Sequence, residues 1–324
     1  MTTLKEIADK CDVSTSTVSL VLNKPYKISK DVRKKVYDSI IQMGYFKQKN
    51  QAIKQIGIVF DSFYKDFFGD FYNEVVYGIL QKSSNLNFNI RILTDLNIDY
   101  YDIHDIQGLI FVGKTPNDFY DKVKQFRIPF INCGHPNYNH LEVPTAYLSR
   151  TANTKNLVQF LTNCGHEHIA VIVGENDPKD IIRKEFIDAI QEVKPNLDPN
   201  LIFEASYDEI QTVEIVWNKI ISHSPKVTAV MCGNDLLAYY VYNCAKKYNI
   251  RIPEDISVTG FDGIHFPKFT NKPSPKLTTV YGNRIELGQR SIELIYSVLK
   301  GIPIEDKLIR SHGNLVIGDS VARL

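Results

Sequence analysis

The chain of 324 residues is longer than a single hydrophobic core usually supports, so two or three domains are expected. Its apolar fraction of 44% and charged fraction of 23% are those of a soluble globular protein, and no run of about 18 consecutive apolar residues marks a membrane span. The formal net charge of +1 hides two unequal parts: residues 1–55 hold eleven Lys/Arg and five Asp/Glu, a balance of +6, and the remainder holds 27 and 32, a balance of −5.

A small basic head on a mildly acidic body points to a polyanionic partner for the head. The opening segment "MTTLKEIADKC" lacks the apolar core of a signal peptide, so a cytoplasmic protein is expected. The five cysteines, Cys11, Cys133, Cys164, Cys232 and Cys244, are far apart and form no C-x-x-C pair, which favours packed, reduced thiols over disulfides or a zinc site.

In chain order, "TLKEIADKC" opens with Thr3 three residues before Glu6, the spacing of a capping box, and repeats Leu4, Ile7, Ala8 and Cys11 on one helical face. Ser14 can then cap a second helix whose buried stripe is Val18, Val21 and Leu22. The opposite face shows Thr15, Ser16, Thr17, Ser19 and Leu20. A third helix is expected to start near Ser29, bury Val32, Val36, Ile40 and Met43, and stop at Gly44. The stretch "VSTSTVSLVLN" thus carries five hydroxyl side chains in eleven residues, although Ser and Thr cost helix propensity. Two short helices joined by a tight turn and braced by a third form a helix-turn-helix, and small hydroxyls on its second helix allow close approach to the major groove and hydrogen bonds to phosphates or base edges. The plainer alternative is that these hydroxyls only cap and solvate a short helix.

The segment "TLKEIADKCDVSTSTVSLVLNKPYKISKDVRKKVYDSIIQMGY" resembles the DNA-binding domain of the LacI/GalR family of bacterial transcriptional repressors. By that resemblance Thr15, Ser16 and Leu20 occupy base-reading positions. Thr3, Ser14, Thr17, Ser19, Asn23, Lys27, Ser29 and Arg33 lie near backbone phosphates, and the partner is double-stranded DNA carrying a palindromic operator read by a homodimer. Leu20 departs from the family, which commonly places there an arginine that reads guanine. Leucine offers only apolar contact, for instance to a thymine methyl.

The resemblance divides the chain into a helix-turn-helix domain over 1–45, a linker over 46–55 and an effector-binding and dimerisation core over 56–324. The linker "FKQKNQAIKQ" is several residues shorter than is usual in the family and lacks the Pro-containing hinge-helix pattern; Ile53 is its only large apolar residue that could wedge into a minor groove. Shorter-linker repressors of the galactose type are similar.

From Ile56 onward apolar runs alternate with helical periodicity. "IGIVF", "FNIRIL", "IQGLIFVG", "IPFINCG", "HIAVIVG", "LIFEA", "VTAVMCGND" and "ISVTGFDG" read as strands, with "DFYNEVVYGILQKS", "LVQFLTNCGH", "KEFIDAIQEV", "TVEIVWNKII" and "LLAYYVYNCAKKYN" as helices among them. Near-continuous apolar strands alternating with helices imply parallel sheets covered on both faces, in two α/β lobes, with ligands beyond the carboxyl ends of the strands.

"CGHEHIAVIVG", "VTAVMCGNDLLAYYVYNCAKKYNIRIPEDISVTGFDG" and "PKLTTVYGNRIELGQRSIELI" extend the resemblance to the core shared with periplasmic sugar-binding proteins. The fold class is therefore an N-terminal all-α helix-turn-helix domain plus a two-lobed, periplasmic-binding-protein-like α/β core with parallel sheets. The resemblance places Asn234 and Asp262 at effector-holding positions and Tyr207 where an aromatic ring stacks on a sugar. Asn234 and Asp262 have simpler roles open to them as caps of a helix and a turn. After the first strand, Asp61, Ser62 and Tyr64 would face the same cleft, with Phe63, Phe67 and Phe68 nearby, although such aromatics also serve as core. Where the family often has Asp-Asn at the start of the inter-lobe helix, this chain has Ser149-Arg150, and the usual effector arginine is replaced by Ile182 with Arg183 next to it. The implied effector is a small sugar, a galactoside on the likeness of the linker.

"CGHEH" sets His166 and His168 two residues apart but supplies no third and fourth ligands at metal spacing, so no metal and no cofactor are expected. There is no G-x-S-x-G, G-x-x-x-x-G-K-[ST] or G-x-G-x-x-G motif, which argues against an enzyme. The expected function is a sequence-specific transcriptional repressor of carbohydrate genes controlled by a sugar-like effector. The alternative is a sugar sensor with little or no specific DNA function.

Overall fold

The computed structural model describes residues 2–43, 45, 54–60, 69–93, 105–137, 139–175, 180–207, 209–264 and 275–324. The head is three helices, α1 (Leu4–Cys11), α2 (Thr15–Asn23) and α3 (Lys30–Gln42). Thr3 and Glu6 close the expected capping box: the Thr3 N–H donates to Glu6 Oε2 at 2.7 Å and the Glu6 N–H to Thr3 Oγ1 at 3.3 Å. Asp12 then takes a left-handed conformation at φ 51°, ending α1 and turning the chain into the Ser14 cap of α2.

Ile7, Cys11, Val18, Val21, Leu22, Val36 and Ile40 meet in the core of the head. Val32 and Met43, expected in the buried stripe of α3, are half-buried, and Tyr37 takes a core place instead. The reason is polar: the Tyr37 hydroxyl donates to the Val21 carbonyl at 2.9 Å and so satisfies a group near the end of α2. Ile53 and Gly44 lie outside the described residues.

The first lobe is built on β1 (Lys54–Phe60), β2 (Phe88–Leu93), β3 (Gly108–Gly113), β4 (Phe130–Gly134) and β5 (Thr145–Leu148), with helices α4 (Gly69–Ser83) and α5 (Asn117–Phe126). Along β1, Ile56, Ile58 and Phe60 enter one core while Val59 enters another on the opposite face, the period-two pattern of a strand buried on both sides. The second lobe follows with α6 (Thr151–Asn163), β6 (Ile169–Gly174), α7 (Ile181–Val193), β7 (Ile202–Ala205), α8 (Ile210–Ile221), β8 (Ala229–Cys232), α9 (Asp235–Lys247) and β9 (Ser257–Thr259). Its parallel sheet has the order β7-β6-β8-β9, with Ala170 and Ile172 packed toward Trp217 and Val171 and Val173 toward Phe186.

The chain then crosses back. After β10 (Thr279–Gly282), helix α10 (Arg284–Lys300) packs against α4 of the first lobe, and β11 (Leu308–Ser311) joins the first sheet beside β5, giving the order β11-β5-β4-β3-β1-β2. Strand β12 (Gly313–Val316) returns to pair antiparallel with β10. The backbones of α4 and α10 touch: a Cβ on Gly78 would lie 2.0 Å from the Ile285 carbonyl oxygen, and one on Gly288 2.1 Å from that of Val75.

The lobes are therefore linked three times, at Ser149–Arg150, at Asn283 and at His312. The crossings run side by side, since the Ser149 N–H donates to the Ser311 carbonyl at 3.0 Å and the Asn283 N–H to that of His312 at 3.3 Å. All five cysteines are free and buried. His166 is buried with Nδ1 3.0 Å from Thr228 Oγ1 and Nε2 3.1 Å from the Ala322 carbonyl, a satisfied core imidazole whose pKa is lowered by its burial.

Candidate functional site

Two surfaces carry the chemistry. The first is the outer face of α2. Burial of Val18, Val21 and Leu22 forces Thr15, Ser16, Leu20 and Asn23 outward, with Leu20 37% exposed and Ser19 half-buried beside them. The hydroxyls are pre-arranged at the N-terminal end: Ser14 Oγ caps the Thr17 N–H at 3.0 Å and lies 2.6 Å from Ser16 Oγ and 2.8 Å from Thr17 Oγ1. At the other end Asn23 Nδ2 donates to the Ser19 carbonyl at 2.8 Å. Lys27 and Ser29 are exposed, and Arg33 is half-buried. The short hydroxyls of Ser14, Thr15 and Ser16 are exposed and cluster at the N-terminal end of α2, which suits a phosphate-lined groove.

The second surface is a cavity of about 280 Å³ between the lobes. Its walls are the carboxyl ends of parallel strands: Gly113, Gly134 and Leu148 from the first lobe, and Val173, Gly174, Gly233 and Phe261 from the second. Phe71, Tyr72, Phe186, Tyr207 and Phe261 give it aromatic sides. Tyr207 packs against Gly174, where a Cβ would come within 1.9 Å of its ring, so any larger residue there would displace the ring. Burial raises the Tyr207 phenol pKa above its ordinary value.

The polar groups in the cavity are tied together. Arg150, at the first crossing, places its guanidinium 4.5 Å above the Phe261 ring, donates from Nη1 to the Gly233 carbonyl, and pairs through Nη2 with Asp262 Oδ1 at 3.0 Å and Oδ2 at 3.3 Å. Asp262 has φ 93°, a conformation few non-glycine residues adopt, and is held there by Arg284, which donates from Nη2 to the carbonyls of Asp262 and Gly263. Arg284 is 1% exposed and also faces Glu74 Oε2 at 3.4 Å, which in turn accepts from the Tyr281 hydroxyl at 2.6 Å.

Below this loop Asp235 accepts from Thr279 Oγ1 at 2.5 Å and from the Ile264 N–H at 2.6 Å. Burial, with the nearby Asp262 charge, pushes the Asp235 carboxyl up to about 8 in spite of those two donors. Across the mouth, His135 Nε2 of the first lobe lies 3.1 Å from Asp180 Oδ2 of the second. Asp180 also caps α7 through the N–H groups of Ile182 and Arg183. Burial works to raise the Asp180 pKa, but the His135 hydrogen bond and charge and the two backbone donors outweigh it and hold the carboxyl down to about 2.

Comparison with known proteins decides the family. Residues 3–48 match the model of bacterial regulatory proteins of the lacI family, and residues 158–321 match that of the periplasmic binding protein-like domain. The chain belongs to the LacI family of transcriptional regulators. Across its length this LacI-family chain is 26% identical to the HTH-type transcriptional repressor PurR of Pasteurella multocida, covering 99% of each chain. It shares its fold with the transcriptional regulator CelR in complex with cellobiose, at a TM-score of 0.67 and 19% identity, with 99% of this chain and 100% of that one covered. It is similar also to the lac repressor dimer bound to operator and an anti-inducer, at a TM-score of 0.64 and 18% identity, with 99% of each chain covered.

Of the effector residues expected in this LacI-family core, Arg183, Tyr207, Asn234 and Asp262 all line the one cavity. Asn234 also caps α9, its Oδ1 accepting the Leu237 N–H at 2.9 Å, so the capping role is real. Arg183 pairs with Glu204. Asp61, Ser62 and Tyr64, with Phe63, Phe67 and Phe68, lie outside the described residues. The sequence reading did not single out His135, Asp180, Phe186 or Phe261, and it noted Arg150 only as a departure. A charged residue at the exact junction of a strand and the next helix was the available signal for Arg150.

Proposed function

We propose that the chain is a homodimeric, cytoplasmic transcriptional repressor without enzymatic activity, whose two α2 helices read the half-sites of a palindromic operator and whose inter-lobe cavity binds a small sugar-like effector. The cavity carries this reading: it lies at the meeting of three side-by-side crossings, so a ligand there acts on the angle between lobes. If the two lobe angles differ in operator affinity, effector and operator binding are coupled reciprocally. The cellobiose-bound relative supports a sugar, and the short linker supports a galactoside.

The domain division at 1–45, 46–55 and 56–324 belongs to this proposal, except that β1 already begins at Lys54 and so takes the last two linker residues into the core. So do the base-reading roles of Thr15, Ser16 and Leu20. The phosphate-side roles of Thr3, Ser14, Thr17, Ser19, Asn23, Lys27, Ser29 and Arg33 and the linker role of Ile53 belong to it as well. The test is capture of sheared genomic DNA from the source by the purified protein at moderate salt, followed by sequencing. Recovery of a few palindromic sites beside carbohydrate genes is expected. Diffuse recovery that disappears at higher salt would mean phosphate contacts alone and would overturn the repressor.

A further inference from the structure

The side-chain acceptors of Asp262 and Asn234 that a neutral sugar would use in this cavity each already hold an internal donor. Both oxygens of Asp262 face Arg150 Nη2, and Asn234 Oδ1 holds the Leu237 N–H. The walls contain Lys114, Arg150 and Arg183 against Asp180 and Asp262, with Arg183 turned to Glu204, so cations and carboxylates balance there within a body whose overall balance is −5. Low-dielectric rings around the cleft strengthen whatever pair a bound anion makes there. Arg150 is the group built to receive one: its plane is fixed on Phe261, and its Nε carries no hydrogen bond among the described residues.

We propose that the effector carries an anionic group, a carboxylate or a phosphate ester, and that Arg150 is the residue that recognises it, with Asp262 as the internal competitor for the same guanidinium. The proposal rests on the reading of the cavity as an effector site and names the class of ligand it takes. A neutral polyol would have to separate the Arg150–Asp262 pair without supplying a charge to either partner, which is unfavourable where both side chains are largely buried. An anion supplies planar, paired acceptors to the fork of donors on Arg150. Phe71, Tyr72 and Tyr207 then pack on the rest of the ligand. Because Arg150 stands immediately before α6 at the first crossing, its change of partner loosens the loop of Asp262 from the base of that helix and so reaches the lobe angle.

The test uses the full chain and its thermal midpoint with matched probes: glucose beside glucose 6-phosphate and glucuronate, galactose beside galactose 1-phosphate and galacturonate, ribose beside ribose 5-phosphate. An acidic member is expected to raise the midpoint and to bind at least about tenfold more tightly than its neutral parent. Arg150→Gln should abolish that preference, with far-UV circular dichroism confirming the fold. Asp262→Asn should strengthen acidic-ligand binding, since it removes the competitor and Asn tolerates the positive φ. The two variants move in opposite directions, so the proposal stays falsifiable if one of them folds poorly. Equal binding of a neutral parent, lost in Asp262→Asn, would make Asp262 a polyol acceptor and overturn the anionic class while leaving the effector cleft intact. No shift with any probe, acidic or neutral, beside intact operator capture would overturn the effector reading itself and this inference with it.

Discussion

The outer face of α2 and the inter-lobe cavity are built on opposite principles. On α2 the functional side chains face solvent, borne by a short helix whose other side is buried. In and beneath the cavity the polar groups are paired internally: Arg150 with Asp262, Asp235 with Thr279 and Ile264, His135 with Asp180. An interface that meets a large, highly charged partner can leave its groups to water until contact. A small ligand supplies few contacts, so its site must be pre-organised by the protein. Substitutions on α2 should therefore change binding and spare stability, whereas those around the cavity should change stability and its pH dependence.

The largest effect is expected from Asp235. Its native pKa is raised to about 8, so between the ordinary carboxylate range and pH 8 the folded chain keeps a proton that the unfolded chain has lost. Stability then falls as pH rises through that window, by on the order of 2–4 kcal/mol between pH 5 and 8. Trp217 is the only tryptophan and is buried in the second lobe, so urea unfolding followed by its fluorescence reads that lobe alone. Asp235→Asn should flatten the dependence. A wild-type profile that is level, or that rises with pH, would show that Asp235 is ionised in place.

On α2, Ser16→Ala should weaken operator binding by about 1–3 kcal/mol in anisotropy titrations. It should leave the thermal midpoint nearly unchanged, because the lost hydroxyl is exposed and bonded only to Ser14. Loss of stability in step with affinity would erase the contrast between the two surfaces. Next in size, Asp180→Ala removes the cap of α7 and the link to His135, costing about 1–2 kcal/mol at neutral pH. The sign of its pH effect is opposite to that of Asp235: the Asp180 pKa is depressed, so its contribution is present above the ordinary carboxylate range and lost as pH falls toward about 2. The variant should lose less stability on acidification than the wild type does.

The same contrast explains what the sequence disclosed. The head was legible almost residue by residue, because capping boxes and helical stripes are local and the face opposite Val18, Val21 and Leu22 follows from their spacing. The short strands β5, β10, β11 and β12 were not named, whereas the other eight strands, and the helices among them, were legible from apolar runs, with strand ends misplaced by a few residues. The return of α10 and β11 to the first lobe was not, since nothing local in "RIELGQRSIELI" says which sheet it will cover; the contact is made through Gly78 and Gly288, more than two hundred residues apart. The partners of Arg150 were likewise hidden. Gly233 and Asp262 meet it only because β8 and β9 end beside the start of α6.

The smallest effect distinguishes base reading from phosphate contact at Leu20. Leu20 has no hydrogen-bonding group, so what it can read is shape and apolar surface, and a thymine 5-methyl is the apolar group a major groove offers. Burying one methyl is worth about 0.8 kcal/mol, so Leu20→Ala should weaken the captured operator by roughly fourfold and relax its preference at a single base-pair step in each half-site. Replacing that thymine by deoxyuridine removes the methyl from the other side. The deoxyuridine operator should bind the wild type as weakly as Leu20→Ala binds the natural one, and the variant should be indifferent to the exchange. A coupling energy near zero in this cycle would mean that Leu20 only fills space against the backbone, leaving Thr15 and Ser16 to read the sequence.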